Sequence, residues 1–487
     1  MLFDNPSSLT LGIIVFIYVI DFLIACWIVF LERKTPTATI AWIMILLIFP
    51  IGGIIMYFLL TQHLSRRKVF ALTGAEAAEI EESLEEQVAS MKSGDFVFRN
   101  PEARKWRDMI AFHQIYSHSY YTEDNSVDLI SDGNEKLDRM IEDIASARKT
   151  VNMLYFIIKR DQTGRRLIEA LTEKAKEGVE VRLLIDAVGS RGIFHSTLRE
   201  FKNAGGKYAY FFPARFKIFN FRLNFRNHRK IVVIDGSIGY IGGFNIGNEY
   251  LGLKKKFGYW RDTHIRVTGS SVQDMNARFM IDWRAASKEN LELSDAYNTM
   301  PIDMGDTGIQ IVSSGPDSIK EEVKRGYMRM ITSAKKNIYI QTPYFVPDAS
   351  ILESLKMAAQ SGIDVRVMIP SIADHIFVYW ATRDHAGELL RSGGRIYMYR
   401  KGFIHAKTIV VDSEIGSVGS ANFDCRSFRL NFESNAFIYG SKNALRMERL
   451  FRKDIGDCEE LTLEKYNNRG KFIFFRESIS RLFSDLL

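Results

Sequence analysis

Two histidines of this chain stand in the same setting. His228-Arg229-Lys230 runs into Ile231-Val232-Val233-Ile234-Asp235 and on to Gly242-Gly243-Phe244-Asn245. His405-Ala406-Lys407 runs into Thr408-Ile409-Val410-Val411-Asp412 and on to Gly419-Ser420-Ala421-Asn422. Each copy reads His, one residue, Lys, four residues, Asp, then six residues to a Gly-Gly or Gly-Ser pair, with Asn two beyond it. One copy alone would be a weak motif; two with the same continuation are not. Imidazole is a nucleophile near neutral pH, and its ordinary pKa of about 6.5 lets a second copy donate a proton. Lys and Asn bring N–H donors to the place where charge gathers on a phosphoryl group. The chemistry indicated is phosphoryl transfer. Lys is not a usual metal ligand and no His, Cys and carboxylate cluster has zinc spacing, so neither metal nor other cofactor is expected.

The apolar runs after each Lys are short, β-branched and closed by turn residues, which predicts buried strands. Side chains two apart on a strand share a face, so His228 and Lys230 point together, as do His405 and Lys407. The surroundings of the motifs repeat as well. Ala147-Arg-Lys-Thr-Val-Asn-Met-Leu-Tyr-Phe matches Ala334-Lys-Lys-Asn-Ile-Tyr-Ile-Gln-Thr-Pro-Tyr-Phe, and each is followed by an amphipathic helix closed by Gly178 or Gly362 and a further strand. Strand alternating with helix at this spacing predicts an α/β fold. Duplication predicts two similar domains about a pseudo-twofold axis, with the two motifs facing each other. Their expected spans are 127–286 and 309–487, joined by a linker at 287–308. Residues 69–126 lead in, with an Ala/Glu-rich stretch from 71 to about 92 read as a solvated helix that Ser93-Gly94-Asp95 ends.

At 487 residues the chain holds two or three cores, and its composition is that of a folded protein. The net charge of +7 suits anionic partners, nucleic acid or acidic lipid alike. Three scattered cysteines, Cys26, Cys425 and Cys458, are too few for a disulfide framework. Leu11 to Leu31 is apolar apart from Asp21, and Ile40 to Leu60 is apolar throughout, with Pro50, Gly52 and Gly53 inside it. Each is long enough to cross a hydrocarbon core of ~30 Å as helix, so residues 1–68 are expected to form a two-helix transmembrane hairpin. Pro50 and the nearby glycines also permit a kinked or re-entrant second segment. Arg66, Arg67 and Lys68 against Arg33, Lys34 and Glu32 place the large C-terminal part in the cytoplasm by the positive-inside bias. Asp21 is expected to stay neutral or to face an interhelical contact.

The paired motif resembles that of the phospholipase D superfamily, whose two HKD motifs make one active site. The likeness narrows to the bacterial cardiolipin synthases. It is carried by Pro50-Ile-Gly-Gly53, Arg226-Asn-His-Arg-Lys230, Trp260-Arg-Asp-Thr-His264, Thr342-Pro-Tyr-Phe-Val-Pro-Asp348 and Asn422-Phe-Asp-Cys-Arg-Ser427 with Asn431-Phe-Glu433. The resemblance implies two phospholipase D-like domains, a multi-pass protein of the bacterial inner membrane, and the joining of two phosphatidylglycerol molecules with release of glycerol. It implies His228 as nucleophile and His405 as acid/base, although the two copies are equivalent in type. It further implies Lys230, Lys407, Asn245 and Asn422 on phosphate oxygens, and Asp262 and Glu433 as acceptors that orient the histidines of their own halves. Asp235 and Asp412 complete the motifs in a supporting part.

Phe211 to Arg226 interleaves aromatics with cations, as a bilayer-resting surface or a core strand would. Phe472 to Leu487 is amphipathic; docking on the body is the first expectation and lying in the membrane interface the second. Rival readings keep the histidines and change the substrate: a membrane phospholipase D, a transfer to another alcohol, or a membrane-anchored nuclease. Two long apolar segments do not suit the last, and no nucleic-acid partner is expected.

Overall fold

The computed structural model describes residues 8–32, 36–60, 70, 72–193, 196–213, 225–297, 305–482 and 484. The cations at 33–34 and 66–68, most of the aromatic stretch (214–224) and part of the expected linker (298–304) lie outside them. The chain divides into two units, one holding residues 1–64 and 214–224, the other holding the rest.

In the first unit, α1 (Ser8–Trp27) continues through a π-helical turn at Ile28–Glu32. Its apolar part, Leu11–Leu31, has 21 residues and a mean hydropathy of 2.8. That is about 31 Å of helix, enough to span a bilayer. The second apolar run is not one helix. It forms α2 (Pro36–Ile48) and α3 (Pro50–Leu60), interrupted at Phe49. Pro50 cannot donate the i→i−4 bond and its ring crowds the preceding turn, so the helix breaks there. The run then doubles back: the rings of Trp42 and Tyr57 lie 5.4 Å apart, edge to face. Gly53 allows the close approach, because a Cβ there would come within 3.1 Å of Ile45 O and Leu46 Cα. The expected two-helix hairpin is therefore realised in its first helix, while the second is itself a short hairpin. Ile28, Leu46 and Tyr57 form the small core of this unit. Asp21 is buried, seven residues before Ile28.

The second unit begins with α4 (Gly74–Ser93), started by a Thr73–Glu76 capping box and closed by Gly94 in the left-handed conformation. It is not a free solvated linker. Leu84, Val88 and Met91 are buried on one face, and Arg284 bonds Glu76. Charge density alone hid the apolar stripe at i, i+4 and i+7.

Two lobes of the same topology follow. The first contains β1 (Thr122–Ile130), β2 (Thr150–Tyr155), β3 (Glu180–Asp186), β4 (Lys207–Phe211), β5 (Arg226–Asn227), β6 (Ile231–Ile234), β7 (Ile238–Gly242), β8 (Tyr259–Arg261) and β9 (His264–Thr268). The second contains β10 (Thr307–Ser314), β11 (Asn337–Gln341), β12 (Phe345–Val346), β13 (Asp364–Pro370), β14 (Arg395–Tyr399), β15 (Gly402–Ile404), β16 (Thr408–Val411), β17 (Ile415–Gly419), β18 (Phe423–Asp424), β19 (Asn431–Tyr439) and β20 (Cys458–Leu461). In the sheet the first lobe reads β1-β9-β7-β6-β2-β3-β4 and the second β10-β19-β17-β16-β11-β13-β14-β20. The orders correspond strand for strand up to β20, and β1 pairs antiparallel with β10 to make one continuous sheet. A pseudo-twofold axis thus passes between β1 and β10. The helices expected after β2 and β11 are present at Gln162–Lys176 and Ala349–Gln360, and Gly178 and Gly362 are left-handed just beyond them, with φ of 87° and 86°. One apolar core fills the outer layer of each lobe, and a third, with Ile231, Ile265, Ile309, Val410 and Ile438, runs under the shared sheet.

Candidate active site

Each HKD motif leaves its lobe to meet the other. β5, just before His228, pairs in parallel with the start of β19, and β15, just before His405, pairs in parallel with β8. The backbone N–H of His228 donates to Phe432 O (2.9 Å), and that of His405 donates to Arg261 O (2.7 Å). These pairings set each imidazole against the opposite lobe. His228 Nδ1 bonds Glu433, 3.0 Å from Oε1 and 3.2 Å from Oε2. His405 Nδ1 bonds Asp262 Oδ2 at 2.6 Å. The expectation that each acidic residue serves the histidine of its own half is thus corrected: the acceptors are exchanged across the pseudo-twofold axis. The physical reason is the strand crossing, which no spacing within one half reveals.

Lys230 Nζ donates to His228 O (2.6 Å), and Lys407 Nζ donates to His405 O and stands 2.7 Å from His405 Nδ1. Both lysines are buried. Burial drives Lys230 down to about 7 and Lys407 to about 8, against the pull of Glu433 and Asp262. His405 falls to about 4, first through burial and then through Lys407, with Lys230 adding to it and Asp262 opposing. His228 is lowered by burial, opposed by Glu433, with Lys230 and Lys407 contributing. Each histidine therefore feels the lysine of the other motif, which locates both in one charged cluster. Burial pushes Asp262 and Glu433 upward, yet the cations beside them prevail and hold both carboxylates ionised.

Asn245 and Asn422 are buried at matching positions. Asn245 Oδ1 accepts from Ile157 N (3.3 Å), and Asn422 Nδ2 donates to Asp424 Oδ2 (3.0 Å). Asp424 is raised to about 6 by burial. The two motif aspartates are elsewhere. Asp235 accepts from the N–H groups of Arg148, Lys149 and Thr150 at 2.7–2.8 Å, and Asp412 from those of Lys335, Lys336 and Asn337 at 2.7–3.0 Å. Each sits at the far end of its strand from the histidine and ties that strand to the start of β2 or β11. Each of these carboxylates thus meets three backbone donors at the strand end opposite its histidine.

Several residues at the site went unassigned by spacing. Phe156 lies edge-on to His228 at 4.7 Å, and Trp260 lies 5.2 Å from His405. Arg229, between His228 and Lys230, faces the other side of the strand and is buried. It donates to Glu433 O (3.1 Å) and Ser314 O (3.1 Å) and pairs with Asp282 at 2.8 Å. Arg261, beside Asp262, pairs with Asp454 of the second lobe at 2.8 Å. The signal for Arg229 was the strand alternation itself, since the residue between two inward side chains must point outward.

A duplicated α/β sheet with two crossed His-Lys pairs defines a phospholipase D-like protein. A family model described as cardiolipin synthase, PLD-like domain, matches residues 140–283 and 327–455, and one described as phospholipase D-nuclease N-terminal matches 13–60. A cardiolipin synthase of Listeria innocua is 48% identical over 98% of this chain and 99% of its own. The major cardiolipin synthase ClsA of Bacillus subtilis is 46% identical over 96% of this chain and 98% of its own. A phosphatidylserine synthase of Haemophilus influenzae, 14% identical, superposes with a TM-score of 0.62 over 78% of this chain and 100% of its own, a likeness of fold. The chain belongs to the cardiolipin synthase family, and it is a phosphatidyltransferase of the phospholipase D type.

Proposed function

We propose that the protein moves a phosphatidyl group from one phosphatidylglycerol to a second, releasing glycerol and forming cardiolipin. The observation that carries this reading is the exchanged pair of acceptors, which fixes Nδ1 of both imidazoles and leaves each Nε2 for chemistry. In the first step His228 Nε2 attacks phosphorus, the bond from phosphorus to the glycerol oxygen breaks, and His405 protonates that oxygen. In the second, His405 takes the proton from a headgroup hydroxyl of the incoming lipid. That oxygen attacks phosphorus, and the bond to His228 breaks. Lys230, Lys407, Asn245 and Asn422 would donate to the non-bridging oxygens, where charge builds in both transition states.

The neutral state favoured for both imidazoles suits a nucleophile and not an acid. A bound phosphodiester anion reverses this for His405, because a negative charge beside a buried imidazole raises its pKa. The test is purified protein supplied with phosphatidylglycerol alone. Equal cardiolipin and free glycerol support transfer, whereas phosphatidic acid and glycerol would show hydrolysis.

The protein is read as embedded in the bacterial inner membrane. Neither α2 nor α3 reaches ~30 Å, since 13 residues make only about 20 Å of helix. Their fold-back supports a re-entrant segment beside one crossing helix. The Lys and Arg residues that flank the second apolar run in the sequence favour the cytoplasm for the catalytic lobes that follow.

A further inference from the structure

The C-terminal helix Lys471–Arg481 shows two faces of different kind. Its inner face buries Glu477 and Ser480 against the helix Ile376–Arg391. Glu477 accepts from Arg383 at 3.1 Å and from Arg469 at 2.5 Å, so the one acidic residue of the helix is neutralised inside. The outer face carries Phe472, Phe474, Phe475 and Leu482, which are between 56% and 74% exposed. Ile376 and Phe377, at the start of the neighbouring helix, are 66% and 56% exposed. The two sets meet in an apolar groove of about 310 Å³ lined by Ile376, Phe377, Trp380, Phe475 and Ile479. The three phenylalanines alone leave roughly 300 Å² of ring uncovered, the size of patch that marks an interaction surface.

We propose that this face is a second membrane contact, which seats the catalytic body on an anionic leaflet. The charge around it fits that occupant. Lys471 and Arg476 edge the patch with no exposed carboxylate of the helix against them, while Arg481 pairs with Asp384 of the neighbouring helix at 3.8 Å. The Arg476 guanidinium lies 4.1 Å over the Phe472 ring and 5.4 Å from that of Trp380. An apolar body with a cationic tip at its rim is the arrangement that rests in the headgroup layer. The patch also adjoins the site. Tyr344 OH bonds Asp374, two residues before the exposed Ile376, and Ile372 packs on the cluster of Phe244, Tyr250, Trp260 and Phe403 that touches His405. A leaflet held against the groove would present its headgroups beside the catalytic cluster. The proposal stands on the exposed face and not on the transfer reaction.

The test uses the full-length chain in nanodiscs loaded with one copy each, followed by amide hydrogen exchange. The expected result is exchange at 471–482 and 376–380 at least tenfold slower in phosphatidylglycerol-rich discs than in phosphatidylcholine discs, with the exposed loop residues Val97 and Ile319 unchanged. The double variant Phe472→Glu/Phe475→Glu should lose that protection while keeping the wild-type Tm. Ile376→Glu, on the other helix, should lose it too. Equal exchange in both lipids would overturn the proposal. So would protection that appears only in discs holding two copies, since a second chain would then be what covers the face.

Discussion

Replacing Glu433 by Gln tests the exchange of acceptors directly. The substitution removes a charge-assisted hydrogen bond to His228 Nδ1 from a buried carboxylate 3.0 Å away. Bonds of this kind contribute about 1.5–3 kcal/mol, which in a transition state is about ten- to a hundredfold in rate. Asp262→Asn does the same to His405, where the bond is 2.6 Å. The two losses can be told apart with a phosphatidyl ester of p-nitrophenol, whose anion leaves without needing a proton. Release of p-nitrophenolate then reports the nucleophile alone, and turnover to cardiolipin reports the acid/base as well. His228→Ala should abolish the burst, while His405→Ala should keep it and leave a phosphatidyl group on His228, detectable by mass spectrometry of the quenched protein. Glu433→Gln should weaken the burst, a partial copy of His228→Ala. Asp262→Asn should keep the burst and stall the intermediate. If Glu433→Gln instead copied His405→Ala, each carboxylate would be serving its own half and the crossed wiring would be refuted. Should the burst survive His228→Ala and vanish in His405→Ala, the nucleophile is His405, and the crossed pattern still predicts which carboxylate accompanies which ring.

Asp235→Asn and Asp412→Asn each weaken three bonds to backbone N–H groups and should lower Tm by a few degrees, as ~1–3 kcal/mol does in a chain of this size. The pH profile of kcat should stay where it is; a shift would return these aspartates to the chemistry. His228→Ala and His405→Ala should each reduce cardiolipin formation to background, whereas EDTA should not inhibit, because Lys230 and Lys407 supply the positive charge; inhibition reversed by a divalent ion would refute the mechanism. Stability should fall with acid. His113, His385 and His405 are held by burial at about 3, 4 and 4. They therefore bind fewer protons folded than unfolded below an ordinary histidine pKa of about 6.5. The contribution of these histidines is flat above that pH and declines as pH falls, by about 2 kcal/mol per histidine at pH 5 and about 3 kcal/mol at pH 4. A Tm unchanged between pH 7 and pH 5 would contradict this.

Local pattern made a large part of this architecture legible. The strands after each Lys, the closing glycines 178 and 362 and the matched halves all follow from alternation, capping and repetition, which act within a few residues. What the pattern could not supply was the partner across the axis. Glu433 and Asp262 were recognisable as acceptors, but the pairing of β5 with β19 and of β8 with β15 decides which ring each one holds. Helix α4 reads as solvated in the sequence because its glutamates outnumber the three apolar residues it buries. The second apolar run met the length rule for a spanning helix, yet Pro50 and Gly53 fold it in two; composition saw the breakers, and only the contact of Trp42 with Tyr57 shows the return.

The charges at the site explain why substrate and proton should arrive together. Lys230 and Lys407 face Glu433 and Asp262, and both lysines lower the pKa of both rings. Burial then makes the neutral imidazoles the cheaper state. A phosphodiester adds one uncompensated negative charge between the two rings. The nearest group able to answer it is a histidine whose Nδ1 already bonds an ionised carboxylate, and that describes both rings. The 2.6 Å bond from His405 to Asp262 is the shorter, and a shorter bond to a carboxylate stabilises the imidazolium more. On the assignment proposed above, His405 takes the proton once the substrate anion offsets the burial and the Lys407 charge that hold it low, and His228 stays neutral and nucleophilic. The acid is then created by the substrate it serves. Accordingly, the apparent pKa of the group that must be protonated should rise on binding a non-reactive phosphodiester analogue in wild-type protein, and should not rise in Asp262→Asn.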